Sequence, residues 1–600
     1  MLRRTFARGL AILALLTLLA SPSANASTGV APIPQGTQSD ADYAASYAAR
    51  GVTNVSATTQ RTSCYTPEDP YFTSDGPNDG YTGMSACPGA TTGEALGPYA
   101  TQAGSNAGYP AAAPMLAKDH SESDIRVDPT NAAHLIGQSK WFVSAEGYDH
   151  LLGFYESFDG GRSWPTQGHV PGYEGWTDNT DPVGAFDRYG NFYSLVLGYQ
   201  FFYNPDGSHN FDINPNKEPN PSEPAEVIAA SVRPHGASGA QGWITTHNGG
   251  PDFVAPYPAK GREPDKQWIA IDTNPASPFV DNVYAMWVVF TGPFTPHAFV
   301  AIAKAHADGT HSDWSAPISL PETGGTPQGA TYLLPHVTPD GAVYTTLTNA
   351  TPAHKSFNTT ILLDQSHDGG LTWTASPVVD NITNPPFRFT NTTFRDGITD
   401  TFSTGSSLVR GNYPLYVAWE DGSAGVSNVM LSASYDAGAT WTSPIQVNDN
   451  ASTVDEFQPN LDVAANGKVA VSFYDRRLPC PASGTAEAAA AGIALDQVNP
   501  NDAATPPYGA ANYCVNTSVQ FYTPTLAPSG HNVRLSAHSW DPQLNAPHTS
   551  CATCVGTFIG DYFGIVSANG TLFTTSVSTV DDGANPAHYQ QQVIATIAIP

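Results

Sequence analysis

Acidic residues recur just before apolar segments along most of the chain, a spacing that could gather carboxylates in one place. When the apolar segments are aligned on Asp128, Asp187, Asp272 and Asp462, an acid precedes most of them by a few residues. These acids are Glu122, Asp124, Asp181, Asp265, Asp400, Asp455, Glu456 and Asp561. Converging carboxylates repel one another, so some must hold protons or be neutralised by arginine or a cation, as happens at functional sites. Alternatively, each acid bonds its own strand-entry turn or faces solvent.

Other polar residues stand on or beside the same apolar segments. They are Arg126 in "DIRVDP", Asp149 in "EGYDHLLGFYES", Glu420 in "YVAWEDGS", Arg476 and Arg477 in "SFYDRR", and Tyr562 in "FIGDYFG". Each has a structural alternative, since Arg126 could pair with Asp124 or Asp128, Asp149 could cap a loop, and "DRR" could form a salt-bridged turn. Packing alone explains "GDYFG" poorly, because glycine and aspartate weaken a strand.

The apolar segments themselves come in pairs separated by Asn, Asp, Gly or Pro turns. Examples are "DPVGAFDRYGNFYSLVLGY" and "PNLDVAANGKVAVSFY", and seven such pairs occur. Two alternating runs around a turn predict a β-hairpin. A second strand pair follows in six units, so each repeat predicts four antiparallel strands. The last unit ends in "QQVIATIAIP", and its missing outer strand could come from the N-terminal side.

The connection within the second strand pair has a recurring sequence. "SFDGGRSW", "SHDGGLTW" and "SYDAGATW" end at Trp164, Trp373 and Trp441, and weaker copies end at Trp243, Trp314 and Trp540. The tryptophans are spaced by about 60–100 residues, a period typical of stacked supersecondary units. We therefore predict an all-β fold, a β-propeller of four-stranded antiparallel blades, with seven blades favoured and six as the alternative. The six tryptophans are predicted at equivalent outer positions.

The three full turns resemble the Asp-box, or BNR, repeat of the sialidase-like superfamily. Serine, aspartate, glycine, serine or threonine, and tryptophan occupy every defining position, and the resemblance covers about 116–600. Aspartate and serine can bond the backbone of their own turn and tryptophan can pack between sheets, so these residues are predicted to be structural. Asp boxes also occur in proteins without catalytic activity, so the resemblance concerns the fold more than the activity.

The resemblance also implies a secreted glycan-processing enzyme, most simply a sialidase-type exo-glycosidase that cleaves terminal anionic sugars. In that family an arginine trio binds the substrate carboxylate, an aspartate protonates the leaving oxygen, and a tyrosine activated by a glutamate attacks the anomeric carbon. Carried over, Arg126 with Arg476 or Arg477 binds the sugar, Asp149 is the acid, and Glu420 with Tyr562 is the nucleophile pair. The channel acids Asp124, Asp181, Asp265 and Asp561 would add substrate contacts. Val127 and Asp128 replace the family's Ile-Pro after the arginine.

The alternative function is a non-catalytic propeller that binds a glycan or a protein.

Only 13% of residues are charged, whereas the chain holds 54 Gly and 51 Pro, which favours short strands joined by turns. The net charge of −29 repels phosphate backbones, so nucleic acid is not an expected partner. We expect a monomer that binds a glycan or glycoconjugate.

The chain begins like an exported protein. Residues 1–26 combine early arginines, a short apolar run and a small-residue site, which predicts a cleaved signal peptide and a secreted protein without a membrane span. Residues 27–115 resemble a low-complexity arm or linker, before a propeller over 116–600 with an insertion at 478–516. The six cysteines predict disulfides, with Cys64–Cys87, Cys480–Cys514 and Cys551–Cys554 as the proposed pairs. We expect no metal site at "CATC" and no required cofactor, with calcium left open.

Overall fold

The computed structural model describes the chain with several gaps. The described residues are 36–58, 61–63, 115–117, 119–142, 150–171, 178–199, 226–257, 262–291, 296–321, 333–353, 356–386, 389, 392, 394–396, 400–451, 454–482, 484–491, 514–540, 546–548, 556–583, 585 and 590–600. Asp149, Cys64, Cys87, Cys551, Cys554 and the predicted signal peptide lie outside them.

Within these residues, seven four-stranded antiparallel sheets form the blades of a β-propeller, as predicted. From the innermost to the outermost strand, the blades are Asp119–Asp128, Asn131–Phe142, His150–Ser157 and Thr166–His169 (blade 1); Asp178–Phe186, Phe192–Tyr199, Glu226–Arg233 and Phe253–Tyr257 (blade 2); Glu263–Ile271, Asn282–Phe290, Pro296–Lys304 and Ile318–Ser319 (blade 3); His336–Val337, Val343–Ala353, Ser356–Ser366 and Thr374–Thr383 (blade 4); Asp400–Thr404, Leu415–Asp421, Asn428–Ser434 and Ile445–Gln446 (blade 5); Glu456–Val463, Val469–Asp475, Asn516–Tyr522 and Val533–Arg534 (blade 6); Ile565–Ala568, Thr571–Ser578, Gln591–Ala598 and Thr53–Ser56 (blade 7).

The remaining described elements are small. Two-stranded ribbons pair Arg61–Ser63 with Met115–Ala117, Thr246–His247 with Gly250–Pro251, and Ala546–His548 with Gly556–Phe558; the helices are Asp40–Ala49 and Ala486–Ala490. No helix in the described ranges is long and apolar enough to cross a membrane.

The ring closes through contacts between innermost strands. The first strand of each blade contacts the first strand of the next, and that of blade 7 contacts that of blade 1. Blade 7 takes its outermost strand, Thr53–Ser56, from the N-terminal side, where it pairs antiparallel with Gln591–Ala598. This confirms the predicted origin of the missing strand. Residues before 116 therefore belong in part to the propeller, because the last blade lacks a fourth strand of its own.

Cys480 and Cys514 form the predicted disulfide, with their Cα atoms 4.8 Å apart. Both half-cystines are buried and lie on either side of the inserted segment, between the second and third strands of blade 6. The bond closes the insertion at its base.

The repeated turns are hydrogen-bonded alike in blades 1, 4 and 5, between the third and fourth strands. In blade 5, Asp436 accepts hydrogen bonds from Ser434 Oγ (2.8 Å), Thr440 N (2.9 Å) and Thr440 Oγ1 (2.6 Å), and Gly438 N donates to Ser434 Oγ. Hydroxyl and amide donors likewise lower the pKa of Asp159 and of Asp368 to about 2. These aspartates are structural, as predicted from the turn sequence.

Five of the six ladder tryptophans lie in the connection between third and fourth strands, and Trp540 does not. Trp540 follows the outermost strand of blade 6 and bridges to Val515, ahead of the third strand. Its predicted equivalence to the others is therefore wrong. The equivalent connection in blade 6 runs from 523 to 532 and contains no tryptophan.

Removing the aspartate of one full turn is expected to destabilise the fold. Asp436→Ala deletes an acceptor of three hydrogen bonds, so the free energy of unfolding should fall by about 2 kcal/mol, measured by urea denaturation. Asp308→Ala is the matched control, since Asp308 lies in the corresponding connection of blade 3 and, among the described residues, accepts side-chain hydrogen bonds from Thr310 alone. Equal losses in the two variants would contradict the structural role of the full turn.

Candidate functional site

Four innermost strands carry a β-bulge near their beginning. The pairing register shifts after Ser121, Thr180, Asp265 and Phe457, and the bulge residues Glu122, Asp181, Lys266 and Gln458 have φ between 44° and 55°. A non-glycine residue rarely adopts this left-handed conformation, which occurs at functional sites where a bulge re-aims a side chain. All four bulges lie where the innermost strands begin, so they define one mouth of the channel.

Lys266 joins carboxylates from three blades. Its Nζ lies 3.0 Å from Asp561 Oδ2, 3.6 Å from Asp265 Oδ1 and 4.0 Å from Asp181 Oδ2. Asp181, Asp265 and Asp561, predicted from their spacing to converge, are therefore brought together. We call Asp181, Asp265, Lys266 and Asp561 the mouth cluster.

Glu122 and Asp181 form a hydrogen-bonded carboxyl pair beside this lysine. Burial and the neighbouring Asp181 raise the pKa of Glu122 well above its usual range. Burial also acts to raise the pKa of Asp181, but Lys266, Lys140 and the bond from Glu122 outweigh it and lower that pKa to about 2. Of the two, Glu122 therefore holds a proton more strongly, and Asp181 is the group that ionises first.

Asp265 has the opposite shift from Asp181 and is the more accessible of the two. Burial, opposed by Lys266 and reinforced by Asp181, raises its pKa to about 6. Its side chain is 28% exposed, compared with 9% for Asp181. Two carboxyl groups beside one ammonium are therefore in different protonation states over the weakly acidic range, which is the condition for a general acid next to a carboxylate.

Arg395, which lies in the connection between blades 4 and 5, adds a further positive charge beside the mouth cluster. Its Nη2 donates to Asp561 Oδ2 over 2.7 Å, and its guanidinium lies 4.9 Å from the centre of the Phe558 ring. On the other side of the cluster, Lys140 Nζ lies 3.7 Å from Glu122 Oε2. Asp561 therefore pairs with two cations at the mouth, Lys266 and Arg395.

The two glycines of "GDYFG" are explained by close packing against blade 1. A Cβ atom on Gly560, which has φ of 103°, would lie 2.5 Å from the backbone nitrogen of Glu122. A Cβ on Gly564 would lie 2.6 Å from the nitrogen of Ile125. Because backbone atoms cannot move aside as a flexible side chain can, only glycine fits at these positions. The segment thereby brings Asp561 next to the bulge of blade 1.

Glu420 and Tyr562, the predicted nucleophile pair, form their described hydrogen bonds with different partners and not with each other. Glu420 is fully buried and accepts from Gln458 N over 2.6 Å, and burial and nearby Asp396 raise its pKa. The Tyr562 hydroxyl donates to the carbonyl of Pro182 over 3.0 Å. Asp149, the predicted acid, lies outside the described residues.

Arg126 and Asp124 connect blade 1 to blade 2 through an ion pair and hydrogen bonds. Arg126 Nη1 lies 2.7 Å from Asp124 Oδ1, and its Nε donates to the Gly184 carbonyl over 2.9 Å. Gly184 N in turn donates to Asp124 Oδ2 over 2.9 Å. The structural alternative from the sequence, pairing of Arg126 with Asp124, is therefore observed.

Arg476 and Arg477 are both buried. Arg477 bonds Asp475, Asp449 and Asn532, with its guanidinium 4.2 Å from the centre of the Tyr43 ring. Arg476 Nη1 lies 3.4 Å from Asp455 Oδ2 at the channel end of blade 6. Arg477 thus ties the N-terminal helix to blade 6.

Three cations of the site were missed by the sequence reasoning, namely Lys140, Lys266 and Arg395. Lys266 directly follows the predicted Asp265, so its position beside an acid at a strand entry was a usable signal. Lys140 lies near the end of the second strand of blade 1, and antiparallel pairing places it at the mouth, opposite Ser121. Arg395 belongs to a connection and had no periodic signal.

Comparison with known proteins adds similarity of fold alone. No family model matches the chain, and no curated protein sequence matches it. Among solved structures, a protein of unknown function from Dyadobacter fermentans is 11% identical, with a TM-score of 0.39 over 80% of this chain and 95% of that one.

Two further structures have similar values. The polysaccharide lyase Uly1 is 9% identical, with a TM-score of 0.41 over 91% of this chain and 99% of that one. An intramolecular trans-sialidase from Ruminococcus gnavus is 11% identical, with a TM-score of 0.36 over 80% and 94%. At these values the likeness carries no argument about activity.

Proposed function

We propose that the mouth cluster is the active site of a glycoside hydrolase, with Asp265 as general acid and Asp181 as the partner carboxylate. The observation that carries this proposal is the convergence of both carboxylates on the Lys266 ammonium group, which lies 3.6 Å from Asp265 Oδ1 and 4.0 Å from Asp181 Oδ2. The opposite displacement of their pKa values, to about 6 and to about 2, supports it. Enzymes that cleave glycosidic bonds need one protonated and one ionised carboxyl group at the same time.

The chemistry follows from the two protonation states. Asp265 gives its proton to the oxygen of the leaving group, while Asp181 attacks the anomeric carbon or activates a water molecule. One Lys266 nitrogen lies within 4.0 Å of both carboxylates, which keeps their separation below the roughly 9.5 Å upper limit of glycosidases. Asp561 is a positioning residue, because it holds Lys266 and Arg395.

The class of substrate rests on two observations. The three repeated turns resemble those of the sialidase-like superfamily, which supports a glycan. The arginines predicted to bind an anionic sugar are engaged with protein groups, Arg126 with Asp124 and Gly184, Arg476 with Asp455, and Arg477 with Asp475, Asp449 and Asn532. We therefore propose an uncharged sugar at the cleaved bond.

A substrate panel tests this function. The purified protein is incubated with 4-methylumbelliferyl glycosides of neutral sugars and with the sialoside, and fluorophore release is followed. We expect cleavage of at least one neutral glycoside and slower cleavage of the sialoside. Cleavage of the sialoside alone would reject the substrate class. Tight binding on a glycan array without any cleavage would instead support the non-catalytic alternative.

The pH dependence of kcat/KM is expected to follow Asp265. The general acid must be protonated, so kcat/KM should fall about tenfold per pH unit above about 6, while Asp181 stays ionised well below that pH. Initial rates between pH 4 and 9 measure this profile. A rate that rises through pH 6 would assign Asp265 the role of a base and contradict the proposal.

A further inference from the structure

Two histidines and an aspartate meet between blades 2 and 3, away from the channel. His247, Asp252 and His311 each offer one ligand atom, and these atoms all lie within 4.8 Å of one another. His247 lies in the ribbon Thr246–His247 and Gly250–Pro251, in the connection that precedes the outer strand of blade 2. His311 lies in the corresponding connection of blade 3. Neither connection contains a full serine–aspartate turn.

The surrounding hydrogen bonds orient these groups as metal ligands are oriented. His311 Nδ1 lies 2.7 Å from the Ser312 carbonyl, which can only accept, so Nδ1 carries the hydrogen and Nε2 faces Asp252 Oδ2 at 2.7 Å. The other oxygen, Asp252 Oδ1, accepts from the Trp314 indole over 3.0 Å. A ligating imidazole usually donates its second N–H to a carbonyl, and a ligating carboxylate is usually hydrogen-bonded as well.

We propose that His247, Asp252 and His311 bind a zinc ion that fastens blade 2 to blade 3. Two imidazoles and one carboxylate suit zinc, whereas calcium requires oxygen ligands. Tetrahedral ligands of zinc lie about 3.3 Å apart at bond lengths of about 2.0–2.1 Å, so the three groups need only small rotations. The ion replaces the proton shared between His311 and Asp252.

The fourth ligand is supplied by Asp313 or by water. Asp313 Oδ1 lies 2.8 Å from His247 Nε2, and its side chain is 80% exposed and can rotate. The rings of His247 and His311 are stacked with centroids 4.6 Å apart, and the His247 side chain is 21% exposed. An ion can therefore enter from solvent.

Zinc titration of the untagged full-length protein tests the proposal after dialysis against EDTA. We expect one zinc ion per chain by calorimetry, a rise in Tm of about 2–4 °C with zinc chloride, and no rise with calcium chloride. Cobalt substituted at the same site should give the visible absorption of a tetrahedral ion.

His247→Gln removes one partly exposed ligand and should abolish the zinc-dependent rise in Tm while leaving Tm in EDTA nearly unchanged. His538→Gln is the control, because His538 is another histidine with a solvent-accessible side chain that pairs with a carboxylate, Glu487, outside the proposed site. A zinc response that is equal in wild type and His247→Gln, or its absence in wild type, would overturn the proposal. Failure of His247→Gln to fold leaves the cobalt spectrum of the wild type as the deciding measurement.

Discussion

Asp265→Asn is expected to lower kcat about 10²–10⁴-fold on glycosides with poor leaving groups. Asparagine keeps the size of the side chain but cannot donate a proton to the leaving oxygen. Aryl glycosides whose phenol is strongly acidic need little proton donation, so their hydrolysis should fall much less. Kinetics on a series of aryl glycosides of increasing phenol pKa measures this dependence.

Asp421→Asn serves as the control for this variant. Asp421 ends the second strand of blade 5 and caps the Ser423 amide, without described contacts to the mouth cluster. Its kcat should stay within about twofold of wild type, because a substitution remote from the reacting groups leaves the stabilisation of the transition state nearly unchanged. A uniform loss across all leaving groups in Asp265→Asn would indicate a binding role for Asp265 and contradict general acid catalysis.

Arg477→Met should lower the free energy of unfolding by about 3–5 kcal/mol. The guanidinium lies 2.9 Å from Asp475 Oδ2 and 2.7 Å from Asp449 Oδ1, and both aspartates are buried. Methionine fills similar space but leaves two buried carboxylates without their cation, and removes the contact with the Tyr43 ring. Urea denaturation measures the loss.

Arg477→Met also distinguishes a structural role of Arg477 from a substrate-binding role. Arg410→Met is the control, because Arg410 lies against Tyr435 on a loop and its removal should cost much less. A substrate-binding arginine would raise KM with little change in stability. An Arg477→Met protein as stable as wild type, with a raised KM, would therefore restore the role predicted from the sequence.

The blades were predictable because their signals are local. Alternating apolar runs around short turns specify hairpins within about 20 residues of sequence, and the tryptophan turns mark the third connection of five blades. Even the closing strand followed from the last unit, which has one strand too few. The predicted position of Trp540 was wrong because spacing along the chain does not distinguish the connection before an outer strand from the connection after it.

The mouth cluster was predictable only in part. Spacing to the innermost strands identified Asp181, Asp265 and Asp561, since blades repeat their geometry around the ring. The bulges were not predictable, because Glu122, Asp181, Lys266 and Gln458 share a backbone conformation but no residue type. Arg395 reaches Asp561 from a connection, and tertiary proximity of this kind leaves no periodic pattern in one sequence.

The arginines show the same contrast between local and remote contacts. Arg126 is two residues from Asp124, so alternation along a strand places both side chains on one face, and their pairing could be anticipated. Arg477 pairs with Asp475 inside "DRR", the salt-bridged alternative that the sequence offered, and also bonds Asp449 and packs against Tyr43, which are distant in sequence. The local pair could be anticipated, whereas the two remote contacts could not.

The most direct test of the mouth cluster is the hydrolysis rate of Asp181→Asn at pH 5 on the neutral glycoside that the wild type cleaves best. Asparagine cannot supply the carboxylate, and the proposal predicts a rate at least about 10³-fold lower, with Tm within a few degrees of wild type. A variant that folds and retains more than about a tenth of the wild-type rate would contradict the assignment of catalysis to this site.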